Sequence, residues 1–329
     1  MLGKQIVLFK LLGFEVRLDL SWVFLVVMIT WGLAVGFFPA YYKGLSETTY
    51  WWMGALGAVG LFVSIILHEL SHSVVARRFG IKIRGITLFI FGGVAQMEEE
   101  PPTAKSEFWM AAAGPLMSMM LSLGFYFLFL VTGQDGKPEM MNGVFYYLAF
   151  INIVLAGFNM VPAFPLDGGR ILRAVLWGWK KDFRWATKIA SALGSTFGIL
   201  LIVLGIYRVI AGDFIGGLWY FLIGLMVKNA ARSAVSSIAT RSALQGEKVS
   251  RFMKTDPITV PRHISVTELV DNYVYKYHHK LFPVVDGDRL IGCVTTRQIK
   301  KLPKEEWPNR TVKDISGSSP NRVGKTRLS

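Results

Sequence analysis

The feature that most constrains this chain is a set of long apolar runs, one of which ends in a cluster of ionisable side chains. The uncharged run 51–67 leads directly into His68-Glu69-Leu70-Ser71-His72. An ionisable group at the centre of a membrane helix costs about 2.5–3.5 kcal/mol on insertion scales, so such groups usually serve a metal, an ion or a proton pathway. The sequence therefore predicts a membrane helix that carries a functional site.

The remaining apolar runs indicate a polytopic α-helical membrane protein. Of the 329 residues, 52% are hydrophobic and 18% are charged, and the mean hydropathy is +0.42. Six runs are each long enough to cross about 30 Å of hydrocarbon. They cover residues 20–38, 51–75, 107–132, 142–160, 187–210 and 214–231.

The distribution of Lys and Arg predicts the orientation of these helices. The formal net charge is +14, and basic residues collect in alternate loops, whereas the loops 39–50, 133–141 and 211–213 are poor in them. By the positive-inside rule, the N- and C-termini are cytoplasmic. We expect no nucleic-acid partner, because the sequence contains no basic module interleaved with aromatic residues.

The two histidines have the spacing of a metal site on one helix face. Positions i and i+4 stand about 6 Å apart along the axis, so His68 and His72 can bind one ion while Glu69 points to its open coordination position. HExxH has only three fixed positions, and the alternative is that the histidines are hydrogen-bonded packing residues within the bundle. The cost of ionisable groups in a membrane favours the metal site.

The candidate third ligand is Asp167, in the segment NMVPAFPLDGGR (159–170). Prolines preclude a regular helix here, and non-helical backbone at membrane depth persists only where it lines a protein-covered or water-filled cavity. Gly168 and Gly169 allow either a close backbone approach or a positive φ, and so can direct the carboxylate towards the ion. The alternative is an ordinary Asp-Gly turn.

These residues together suggest a hydrolytic mechanism. Zinc bound by His68, His72 and Asp167 would lower the pKa of its water towards about 7 and polarise a peptide carbonyl. Glu69 would take the water proton and pass it to the leaving amine. Asn159 could donate to the developing oxyanion or to substrate backbone, or it could satisfy a backbone group freed by the prolines. Both roles stay open.

Two segments predict β structure. Residues 85–97 contain β-branched and aromatic residues around Gly92-Gly93 and predict a membrane-associated hairpin, which must face protein or a wet cavity. It is either simply covered, or its edge at Gly92, Gly93 and Val94 binds an extended substrate by strand addition. Residues 1–17 alternate in polarity and predict a short strand pair or an interfacial segment.

HELSH, GGVAQM, AGP (113–115) and NMVPAFPLDGG occur in that order, and through them the first 232 residues resemble the site-2 protease family of intramembrane zinc metalloproteases. The resemblance implies a zinc site at His68, His72 and Asp167, with Glu69 as general base. It also implies that the substrates are transmembrane regulatory proteins. Gly114 matches a small residue of the family's third helix, where close helix packing is a sufficient explanation.

Beyond Lys248 the sequence is amphipathic and soluble-like, and a strand at 282–285, a turn at 286–288 and a strand at 289–295 predict a hairpin. This part of the chain resembles a cystathionine-β-synthase (CBS) domain. The resemblance implies a small α/β module, pairing between two modules and an adenine nucleotide ligand. Two departures weaken the expectation of nucleotide binding: a second repeat only begins, at 311–316, and Gln298 replaces the family's acidic residue. A homodimer through CBS modules would restore the missing half. Some bacterial and archaeal site-2 proteases carry this module, so we expect a prokaryotic cell membrane.

The expected domains are an intramembrane metalloprotease at 1–240, a CBS module at 248–316 and a disordered tail at 317–329.

A rival interpretation is an ion transporter or channel, because intramembrane His, Glu and Asp also serve ion pathways. That class predicts matching broken helices in two halves, whereas both motifs occur once here. A second rival is an inactive membrane scaffold, which the presence of every predicted catalytic side chain disfavours.

Overall fold

The apolar runs form long helices in the part of the chain that the computed structural model describes. The described residues are 5–19, 21–81, 83–89, 92–97, 100–133, 140–244, 251, 256–287 and 289–317. Within them, six helical stretches are long and apolar enough to cross a membrane, which confirms the predicted polytopic fold. These are Ser21–Tyr41, Glu47–Arg78, Ala104–Thr132, Met140–Asn159, Phe183–Ile210 and Phe214–Thr240.

The first stretch is two helices joined by a π-helical turn at Leu33–Phe37, and a short extra helix lies between the fourth and fifth stretches. The helices are α1 (Ser21–Gly32), α2 (Phe38–Tyr41), α3 (Glu47–Arg78), α4 (Ala104–Thr132), α5 (Met140–Asn159), α6 (Asp167–Lys180), α7 (Phe183–Ile210) and α8 (Phe214–Leu244). The chain divides into two compact units between Ala239 and Thr240.

Helix α3 is longer than predicted at both ends because polar residues extend it beyond the apolar run. Ser46 is its N-cap and accepts a hydrogen bond from the Thr49 backbone N–H, as Ser commonly does at this position. Arg77 and Arg78 lie in its last turn, where cations interact favourably with the helix dipole.

Helix α6 was not predicted as a separate element. The prolines after α5 end that helix, and the chain turns at 160–166 before α6 begins at Asp167. Its sequence is amphipathic and too short to span a bilayer, so it gave no membrane-helix signal. It ends at Lys180, and its C-cap Lys181 adopts the left-handed conformation with φ 59°.

The first unit also contains a four-stranded sheet in the order β1-β2-β3-β4. Its strands are β1 (Gln5–Leu11), β2 (Phe14–Asp19), β3 (Ile83–Phe89) and β4 (Gly92–Met97). The predicted N-terminal strand pair and the predicted hairpin are both present, and β2 joins them by parallel pairing with β3. Phe14 and Val16 of β2 pack against Ile66 and Leu70 of α3, so the sheet rests on the helix that carries the histidines.

The second unit is a small α/β module, as predicted. Strands β6 (Leu281–Asp286) and β7 (Arg289–Thr295) form the expected hairpin, and β5 (Val260–Pro261) pairs in parallel with β6. The remaining elements are α9 (Val266–Leu269), α10 (Tyr275–Tyr277), α11 (Thr296–Ile299) and α12 (Val312–Ile315), with a π-helical turn at Val270–Val274 and a 3-10 turn at Lys304–Glu306. Residues 318–329 of the predicted tail and residues 245–250 around the predicted domain junction lie outside the described residues.

Candidate metal centre

Three side chains that are distant in sequence meet inside the first unit. Asp167 Oδ2 lies 3.2 Å from His68 Nε2 and 3.2 Å from His72 Nε2. One potential ligand atom from each residue lies within 4.8 Å of the others, and all three residues are buried. The structure therefore brings together the three residues that the sequence predicts as metal ligands.

Helix α4 fixes the orientation of both imidazole rings. His72 Nδ1 donates to the Met110 carbonyl oxygen at 2.6 Å, and His68 Nδ1 is 2.8 Å from Ser118 Oγ. Because a carbonyl can only accept, His72 Nδ1 carries a proton, and in the neutral ring Nε2 then presents its lone pair towards Asp167. Hydrogen bonds of this kind to the remote nitrogen hold metal-binding histidines in place.

Gly114 of α4 lies directly against the two rings. A Cβ atom built on Gly114 would be 2.5 Å from His68 Nε2, and it would also overlap Nε2 and Cε1 of His72. The sequence interpretation of Gly114 as a helix-packing residue was therefore incomplete. Its missing side chain leaves the space in front of the nitrogens that face Asp167.

Asp167 is the first residue of α6, and the two glycines that follow explain how the turn before it folds back. A Cβ on Gly168 would be 2.6 Å from the Val161 carbonyl oxygen, and one on Gly169 would be 2.6 Å from Phe164 Cα. Both glycines are helical and neither has a positive φ. Of the two predicted alternatives, close backbone approach is therefore the one observed.

The other predicted site residues have different surroundings. Glu69 lies between the two histidines in α3 and is half-buried. Asn159 ends α5, and its Nδ2 donates to the Leu155 carbonyl oxygen one turn earlier, at 3.0 Å. In this structure the Asn159 amide thus satisfies a backbone group.

The predicted substrate-binding residues lie in the hairpin. Gly92, Gly93 and Val94 belong to β4, where they pair with Phe89, Leu88 and Thr87 of β3. Strand β4 is an edge of the sheet as far as the described residues extend. Strand addition pairs an extended peptide with an edge strand of this kind.

The site residues predicted from the sequence do not include three buried polar residues of α4 and α6. Ser118 and Glu107 are both fully buried in α4, and Arg173 of α6 is 3% exposed. Glu107 was detectable as an ionisable residue at the start of an apolar run. Ser118 gave no signal, because serine is common in packed membrane helices.

The chain matches Peptidase family M50 over residues 56–141 and 134–204, and the CBS domain over residues 249–305. Rip3 of Mycobacterium tuberculosis is 36% identical over 93% of this chain and 78% of its own. The zinc metalloprotease MJ0392 of Methanocaldococcus jannaschii is 31% identical over 91% of this chain and 80% of its own.

A solved structure, the site-2 protease from Methanocaldococcus jannaschii, covers 70% of this chain and 95% of its own, with 31% sequence identity and a TM-score of 0.48. The extensive identity to Rip3 shows that this chain belongs to the M50, or site-2 protease, family of metalloproteases and carries a CBS domain. It is a multi-pass membrane protein, with six helices among the described residues that are long and apolar enough to cross a membrane, and its relatives imply zinc as the metal.

The structure gives a local reason for Gln298 in the CBS module. Its Oε1 accepts hydrogen bonds from Thr295 N and Oγ1, at 2.8 and 2.7 Å, and its Nε2 donates to the Ile315 carbonyl oxygen at 3.1 Å. An amide supplies both an acceptor and a donor, whereas an ionised carboxylate can only accept. Gln298 therefore joins β7 and α11 to α12, a role that the family's acidic residue could not fill in the same way.

Proposed function

We propose that this chain is a zinc-dependent intramembrane endopeptidase that hydrolyses peptide bonds in or near the transmembrane helices of other membrane proteins. The observation that carries the proposal is the convergence of His68, His72 and Asp167, with both histidines in a helix long and apolar enough to span a membrane. Family membership supplies the reaction class, and this cluster supplies its location.

The donor set fits zinc. Two imidazole nitrogens and one carboxylate oxygen form a common three-ligand set for catalytic zinc, which keeps a fourth position open. The fixed rings and the empty space at Gly114 fit the same interpretation, because they leave the ligand nitrogens unobstructed on the side facing Asp167. When bound, zinc would polarise the scissile carbonyl and activate a water molecule.

Glu69 would act as the general base and then as the general acid. It adjoins His68 in the same helix turn, and it remains half-buried while both histidines are buried. A carboxylate in this place can accept a proton from the attacking water and deliver it to the leaving amine. Asn159 would help to position the substrate by exchanging its bond to the Leu155 carbonyl for a bond to a substrate carbonyl.

The substrate would bind as an extended peptide along the edge of β4, at Gly92, Gly93 and Val94. A helical substrate must unfold locally for this, and strand addition supplies main-chain hydrogen bonds in place of the helical ones.

We further propose that the protein lies in a prokaryotic cell membrane, with both of its termini on the cytoplasmic side. The basic loops after α3 and around α6 support this orientation.

The first test is the zinc content of the full-length protein purified in detergent. We expect about one zinc per wild-type chain, loss of zinc in His72→Ala, and full zinc in the control His279→Ala, because His279 is exposed in the CBS module. Zinc-replete wild-type protein that contains no zinc would refute the proposal. So would equal zinc in wild type and His72→Ala.

The role of Glu69 needs a separate test. Glu69→Gln keeps the size and shape of the side chain but removes the base, so it should retain zinc and lose cleavage of a transmembrane substrate. Cleavage at the wild-type rate would show that another group takes the proton.

A further inference from the structure

A buried ion pair joins α4 to α6 beside the candidate metal centre. Arg173 Nε donates to Glu107 Oε1 at 2.7 Å, and its Nη2 donates to the same oxygen. The guanidinium also lies 5.0 Å from the ring centre of Phe164 and 4.8 Å from that of Phe183. Glu107 is fully buried, so both charges have been withdrawn from water and lipid.

This arrangement is a poor way to gain stability alone. Removing two charges from water is expensive, and well-packed apolar residues often do as well or better. Here the carboxylate uses only Oε1, while Glu107 Oε2 has no hydrogen-bond partner among the described residues. Glu100 Oε2 lies 3.8 Å from Arg173 Nη2, and the Glu100 side chain is half exposed. The pair therefore calls for a role other than stability.

The position of each partner links the pair to the ligands. Glu107 lies one turn before Met110, whose carbonyl accepts from His72. Arg173 lies in the same short helix as Asp167, which is the first residue of that helix. Phe164, which covers the guanidinium, belongs to the turn that leads into Asp167. If α6 slid or rotated on α4, the ion pair would break and Asp167 would be displaced from the two histidines at the same time.

We propose that Glu107 and Arg173 are positioning residues that set the register of α6 on α4, and with it the distance from the Asp167 carboxylate to the two histidines. The inference rests on the proposed zinc site. The pair thus raises the affinity of the site for zinc, although neither residue touches the metal or the substrate. A directional, charge-assisted bond suits this purpose, because it is far more sensitive to register than an apolar contact is.

The test compares zinc affinity, by chelator competition, in wild type and in Glu107→Leu/Arg173→Met. Apolar residues of similar volume should maintain the bundle, so helix content and thermal unfolding of the metal-free protein should be unchanged. Zinc affinity should fall by about 10- to 100-fold, the usual loss when groups that hold metal ligands are removed. The matched control is Arg208→Met/Asp213→Leu, which removes an exposed ion pair between α7 and α8 and should leave zinc affinity unchanged.

Wild-type zinc affinity in a folded Glu107→Leu/Arg173→Met protein would overturn the inference and leave the zinc site intact. If that protein does not fold, Glu107→Gln decides by the same measurement, since it keeps the shape and removes the charge. Absence of zinc from wild type would instead refute the proposed function itself. The failures of the two proposals are therefore distinguishable.

Discussion

The two units of this protein have interiors of opposite character. The CBS module encloses an apolar core, and none of its described residues is a buried polar one. That core consists of Val260, Ile264, Val266, Leu269, Val270, Phe282, Val284, Val294, Ile299 and Val312. The membrane unit buries many polar side chains. Among them are Ser64, His68, His72, Ser73, Glu107, Ser118, Ser122, Asn142, Asn152, Asp167, Arg173 and Ser191.

The surfaces of the two units explain this difference. Large apolar residues of α4 point outwards, with Leu123 68% and Phe127 65% exposed, which suits a helix surrounded by lipid. Lipid tails are as apolar as leucine, so helices in a membrane associate through small and polar residues instead. In the CBS module, by contrast, water drives apolar residues inwards. Polar burial is therefore an ordinary part of helix packing in the first unit, and buried ionisable groups, rather than buried serines, indicate function there.

The largest expected effect comes from filling the space at Gly114. Gly114→Ala should abolish zinc binding, because the new Cβ would overlap Nε2 of both histidines. Zinc content of the purified protein measures this. The control is Gly124→Ala in the same helix, where a Cβ meets nothing within 4 Å. If Gly114→Ala contained as much zinc as the wild type, the two imidazole rings would have to move apart, and the polar interior of the membrane unit would not be rigid.

The apolar core should respond in stability rather than in metal binding. Phe282→Ala should destabilise the CBS module by about 3–5 kcal/mol, through lost burial and a residual cavity, with zinc content unchanged. Hydrogen exchange of residues 256–287 in the full-length protein would report the change. Leu281→Ala is the neighbouring control, since Leu281 is 50% exposed. Loss of zinc in Phe282→Ala would show that the two interiors are coupled.

A smaller effect is expected at the ring of His68. Ser118→Ala removes the hydroxyl next to Nδ1 and should lower zinc affinity by about 10-fold, as measured by chelator competition. Ser122→Ala, one turn further along α4, removes a bond to the Ala149 carbonyl that is separate from the ligands and should leave zinc affinity at the wild-type value. Equal affinity in both variants would show that Ser118 does not orient the ring.

The sequence predicted the parts of the site whose chemistry is unusual for their surroundings. His68, Glu69, His72 and Asp167 are ionisable groups in or beside apolar segments, where they are expensive unless they have a partner. The six spans and the CBS hairpin were located by different signals, apolar length and strand-like pattern, which are also local. Helix α3 extends beyond its apolar run because Ser46 and the two terminal arginines are polar.

What sequence reasoning missed depends on contacts between distant segments. Nothing local distinguishes Ser118 from any other membrane serine until α4 packs on α3. Helix α6 was missed because it is short and amphipathic, and the meaning of Gly114 emerged only when the rings that it faces were located. The joining of the two β hairpins into one sheet likewise requires pairing between segments separated by two membrane spans.

That parallel pairing has a consequence for the order in which the protein assembles. Strand β2 ends at Asp19 and its partner β3 begins at Ile83, so both of the first two spans must be synthesised before the strands can meet. Chains emerge at about 5–20 residues per second, which leaves the edge of β2 unpaired for some seconds. The strands can pair only if both spans have crossed the membrane and returned the chain to its starting side. Completion of the sheet thus depends on the insertion of both spans, and a chain in which either span failed to cross could not form it.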